Sequence, residues 1–194
     1  MSLRLPAAAL ALLLASCSES APTPTGTDAR AGIVVTSAGS VPDNALNFVA
    51  HAHGEEEVPA RPSPGQGEAI FHLNADGTEL GYRLMVSNIE NVVASHIHLG
   101  AVGVNGQIVV FLFGPAASGG GRTDGVLAEG TITAADLIGP LLGGTLADLI
   151  AAIQAGNAYV NVHTNDGVDG TNTGPGDFPG GEIRGQVDGG HVGH

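Results

Sequence analysis

Three histidines carry a spacing that chemistry could use. His96 and His98 flank Ile97 in the run Val92-Val93-Ala94-Ser95-His96-Ile97-His98-Leu99. In a strand, alternate side chains share a face about 6.5–7 Å apart along the chain, so two imidazoles at this spacing can converge on one metal ion. His163 ends Tyr159-Val160-Asn161-Val162-His163 and shares a face with Tyr159 and Asn161 by the same period. Three neutral imidazoles suit copper or zinc. The spacing is equally compatible with a hydrogen-bonded histidine network that pins the loop 164–181. His51 and His53 repeat the pattern, with Phe48, Ala50 and Ala52 on the opposite face. They form a secondary metal candidate whose alternative is a solvated strand face. Asp166, Asp169 and Asp177 supply oxygen donors in a Gly-rich loop, without the Asp-x-Asp-x-Asp-Gly order of a helix-loop-helix calcium site. No Ser-His-Asp or Cys-His arrangement is readable.

The elements needed to position these histidines are strands. Short β-rich runs at 46–53, 67–73, 79–87, 92–99, 108–113, 126–132, 158–163 and 182–187 alternate with turn signals. Asn74-Ala75-Asp76-Gly77 joins the second and third runs as a hairpin, and Asn105-Gly106 marks a second turn of the same chemistry. One segment breaks the pattern. Thr145 caps a helix over about 146–155, whose apolar stripe is Leu146, Leu149, Ile150 and Ile153, and Gly156 ends it. The expectation is an all-β fold, an antiparallel Greek-key-like sandwich or barrel with one short helix, built from residues 45–188 and followed by a Gly/His tail at 189–194.

The N-terminus reads as an address. Arg4 precedes an apolar run over 5–15, too short for a transmembrane helix, and residues 1–16 form a signal peptide. Leu14-Ala15-Ser16-Cys17 resembles a bacterial lipobox, which implies cleavage before Cys17 and acylation of its thiol and amine. Several acyl chains anchor stably where one does not. Ser18 rather than Asp follows the Cys, which by resemblance to lipoprotein sorting rules implies the outer membrane of a cell envelope, facing the periplasm or the surface. Residues 17–44 are rich in Ala, Thr, Ser, Pro and Gly and read as a flexible tether.

Composition then removes classes of function. The 194 residues carry six Arg, no Lys and 19 acidic residues, for a formal charge of −13. Nucleic acid as a partner is excluded, because phosphate binding draws its affinity from Lys and Arg displacing counterions. A single Cys forms no internal disulfide.

Five ordered motifs together resemble the CHRD (chordin) domain family. They are Glu56-Glu57-Val58-Pro59, the run 94–100 containing His96 and His98, Gly103-x-Asn105-Gly106, Tyr159 to Thr164, and Gly180-Gly181-Glu182-Ile183-Arg184-Gly185-Gln186. The resemblance implies an extracellular β-sandwich and assigns no activity. On that basis the expected role is a lipid-anchored, non-enzymatic binding or structural module with an extracytoplasmic protein partner. A more distant similarity is to copper-zinc superoxide dismutases, in the order of a strand His-x-His, a Val-x-Val-His and a Gly-rich loop leading to Arg. It implies copper as cofactor, His96, His98 and His163 as its ligands, and Arg184 as the cation that attracts superoxide. The chain departs from that pattern in having no His over 100–121 and no Cys pair.

Overall fold

The computed structural model describes residues 46–168 and 174–192. The expected leader (1–16), Cys17, the tether (17–44), Asp169 and the last two residues lie outside them. The strands are β1 (Leu46–His53), β2 (Gln66–Leu73), β3 (Leu80–Glu90), β4 (Val92–Leu99), β5 (Gln107–Phe113), β6 (Arg122–Ile132), β7 (Ala158–Thr164), β8 (Ile183–Gln186) and β9 (Asp188–Val192), with helix α1 (Leu146–Gln154) before β7. They pair antiparallel in the order β5-β4-β7-β8-β1-β2-β3-β6, and β9 also pairs with β1. Consecutive strands β3 and β4, and likewise β5 and β6, are not neighbours in this order. Such crossings are Greek-key connections, and the sheet curls into a nearly closed barrel-like form.

Alternation decides which face is inside. Phe48, Ala50 and Ala52 of β1 are buried with Ala69 and Phe71 of β2, Leu84 of β3, Ile97 of β4, Val160 and Val162 of β7 and Ile183 of β8. Each large apolar side chain removed from water in this way contributes about 1.5–3 kcal/mol. The stripe of α1 (Leu146, Leu149, Ile150 and Ile153) joins the same core. At its start the Asp148 carboxylate accepts from both the Thr145 N–H and hydroxyl at 2.8 Å.

Three local features differ from the sequence expectation. Residues 188–192, of which 189–192 belong to the expected tail, form β9 along the edge of β1, from Val49 opposite Asp188 to Leu46 opposite Val192. Asp188-Gly189-Gly190 has no apolar alternation to announce a strand, so the free edge of β1 specifies the pairing. Next, β3 runs to Glu90 and β6 starts at Arg122, because a bulge between Val86 and Ile89 lets their pairing continue. Finally, the turn between β4 and β5 takes its positive φ at Gly103 (+76°) instead of at Gly106. Gly106 is needed for a different reason: a Cβ there would lie 1.4 Å from the Leu99 carbonyl oxygen.

Candidate metal centre

The three predicted histidines come together on the outer face of β4 and β7. His96 lies opposite Asn161, His98 opposite Tyr159, and Ala94 opposite His163, so all six share one face, while Ile97 and Val160 face the core. Asn161 in turn lies opposite Arg184 of β8. This outer face would be wet on an uncovered sheet, yet His96 is 6% exposed, His98 7% and Asn161 3%. Loops cover it. The segment 100–106 folds back over His98 and Tyr159, Pro179 closes over His163, and Asn105 ties the first loop to the next by donating to the Val58 carbonyl at 2.7 Å.

Hydrogen bonds fix where the imidazole protons sit. His98 Nδ1 is 3.0 Å from the Gly106 carbonyl and His163 Nδ1 is 2.9 Å from the Pro179 carbonyl. A carbonyl only accepts, so both Nδ1 atoms carry hydrogen and both Nε2 atoms present lone pairs. His96 Nδ1 stands 3.0 Å from His163 Nε2. His98 Nε2 is buried and has no hydrogen-bond partner. One nitrogen from each ring lies within 4.8 Å of the others, and this is the only such His, Cys, Asp or Glu group among the described residues. Burial and the neighbouring His163 and His98 push the His96 pKa down to about 3. Burial also lowers His98 and His163, against the opposing pull of the Gly106 carbonyl and the Asn161 side chain on His98 and of the Pro179 carbonyl on His163. All three rings are therefore neutral at physiological pH, as a metal ligand must be.

The donor set passes a test of fit for copper or zinc. Three imidazoles converge, two have their second nitrogen fastened to a backbone carbonyl as metal-bound histidines do, and the buried Nε2 of His98 makes no hydrogen bond of good geometry, with only the Asn161 side chain close to the ring.

Arg184, the cation that the dismutase similarity would assign to attracting superoxide, is enclosed. It is 1% exposed, its guanidinium lies 3.5 Å from the centre of the Tyr159 ring, and it donates to the carbonyls of Ala101 and Val104 at 3.0 and 3.1 Å. Tyr159 also stacks against His98, with ring centres 4.9 Å apart. A guanidinium committed to holding loop 100–106 is not displayed to attract an anion. Glu57, 6% exposed, feels the attraction of Arg184, but burial outweighs it and raises the carboxyl to about 7.

Sequence reasoning missed the groups that carry the surrounding frame. Glu57 stood in a recognised Glu-Glu-Val-Pro motif, but its exposed neighbour Glu56 looks the same in sequence. Glu182 is wholly buried, where it accepts from Ser63 and Thr164 hydroxyls and from the Gly176 N–H, joining two loops to the end of β7. The signal for it was a lone acid in a strand-entry motif rich in glycine. The secondary pair, His51 and His53, is exposed on β1 and stands apart from the triad.

Among the described residues no helix is long and apolar enough to cross a membrane. Neither a curated protein nor a solved structure matches the chain. The family comparison does, and its match spans β1 to the end of β8, taking in every strand that supports the histidines. Over residues 48–187 the chain matches the CHRD domain, and it belongs to that family.

Proposed function

We propose that this CHRD domain is a metal-binding module held at a cell envelope by lipid on Cys17, with one copper ion bound by His96, His98 and His163. The observation that carries the reading is the buried, unpartnered Nε2 of His98 facing two further neutral imidazoles. Leaving such an atom without a partner costs about 1–3 kcal/mol, and a bound ion removes that cost. Affinity for a nitrogen site rises to copper along the first-row divalent series, which favours copper over zinc. Copper bound there would supply one-electron redox chemistry.

The residues around the triad support binding over turnover. The Gly106 and Pro179 carbonyls orient two rings, Tyr159 packs against the third side of the His98 environment, and Arg184 holds the covering loop. With that cation buried, superoxide has no displayed charge to steer toward.

Metal analysis of the purified chain after copper loading and desalting tests this. Replacing His96, His98 and His163 together with Ala should remove one copper equivalent relative to wild type. Equal copper in both proteins would refute the site. Rapid superoxide turnover by the loaded wild type, lost in the triple variant, would replace the binding reading by a dismutase.

A further inference from the structure

The histidines of β1 lie on a different part of the same outer surface. β8 and β1 are in register at Arg184 and His53, so the way from β4 to β1 crosses β7 and β8. Three spacings of about 4.8 Å put roughly 14 Å of sheet between His96 and His53. There His51 lies opposite Glu68 and His53 opposite Gln66, while Glu68 lies opposite Met85 on β3. All of these belong to the row that alternation turns away from Ala52 and Ala69 of the core.

Two observations point to a cation here. First, His51 Nδ1 is 3.5 Å from Glu68 Oε2, with both side chains largely open to solvent, at 62% and 41%. The donor atoms of His51, His53 and Glu68 are not drawn together as those of the triad are, but neither imidazole is buried or locked by a carbonyl, so the two rings can turn toward one ion from their i, i+2 positions on the strand. Second, the surface is concave around them. His51, His53, Glu68 and Met85 line a depression of about 250 Å³. An adjoining depression brings Glu56 and Asp188 beside His51, and another brings Glu55 beside His53. The two imidazoles therefore stand where three separate depressions meet, and the residues lining these supply four carboxylates (Glu55, Glu56, Glu68 and Asp188) and no Arg or Lys. Clefts lined by one sign of charge concentrate ions of the other.

We propose that His51 and His53 bind a second divalent transition-metal ion, Cu²⁺ or Zn²⁺, at this open surface, with Glu68 as the third ligand. The thioether of Met85 faces the same hollow and suits copper. This site differs from the triad in kind. It is exposed and would exchange its ion with solvent, whereas loop 100–106 and the Pro179 loop cover the triad. The inference does not depend on the triad binding metal.

Titration of the metal-free full chain with Cu²⁺ and with Zn²⁺, followed by calorimetry and equilibrium dialysis, tests it. Wild type should take up one more equivalent than the His51→Ala/His53→Ala variant, and the His96/His98/His163 triple Ala variant should retain that equivalent. Glu68→Gln should weaken it at least severalfold. These positions are exposed, and an unchanged thermal melt checks that the variants fold. Uptake by His51→Ala/His53→Ala equal to wild type would overturn the proposal. Loss of all metal in the triple variant would overturn it too, while leaving the triad intact as a site.

Discussion

Glu57 is a carboxyl whose ionisation the fold opposes. Its pKa moves from 4.5 to about 7 because burial penalises the anion more than Arg184, the Val58 backbone and Asn161 favour it. The unfolded carboxyl gives up its proton near pH 4.5 and the folded one near 7, so between these values the folded state holds more protons. Stability therefore falls as pH rises through that window and is level above it. The displacement corresponds to up to about 3 kcal/mol. Urea unfolding across pH 4.5–7 should show wild type losing stability relative to Glu57→Gln by an amount of that order, and parallel profiles would contradict the account. The same desolvation acts with opposite sign on His96, where the charged form is the protonated one.

At the scale of elements, the strands place the histidines and the loops finish the site. Ser63, Thr164 and Gly176 come from three separate segments and all donate to Glu182, at 2.5, 2.5 and 2.8 Å. Gly181, with φ of +122°, brings the chain so close that a Cβ would meet Glu57 Oε1 at 2.4 Å. Pro179, whose carbonyl orients His163, sits between Gly176 and Glu182 on this same loop. Removing the carboxylate leaves three buried or half-buried donors without an acceptor, each costing about 1–3 kcal/mol. Glu182→Ala should thus destabilise the domain by at least about 3 kcal/mol in urea unfolding and weaken copper binding through His163. Undiminished copper affinity in a folded Glu182→Ala protein would show that the loop does not position that ring.

For the whole molecule, the decisive quantities are charge and attachment. Nineteen acidic residues against six Arg favour cations over anions as ligands everywhere on the surface, which agrees with both proposed metal sites. The attachment proposal rests on the single Cys standing at the end of an apolar run over 5–15. Expressed in a bacterium that processes lipoproteins, wild type should fractionate with membranes and Cys17→Ala with the soluble extract. Membrane association equal in the two would remove the lipid anchor from the functional reading.

The amino-acid order alone determined the period-two runs and the helix. Hydrophobic alternation is a local property, and it set which of His51, His53, His96, His98 and His163 share a face with which neighbours. It could not determine what covers that face. An alternating strand predicts a wet outer row, but His96 and His98 are buried because loops from distant parts of the chain close over them. For the same reason nothing local in the sequence marked Arg184, Glu57 and Glu182 as enclosed. Strand β9 escaped notice because its glycines carry no pattern and an unpaired edge of β1 recruits them. Side-chain alternation is written residue by residue; burial of a polar side chain depends on long-range loop packing, and only the tertiary structure decided it.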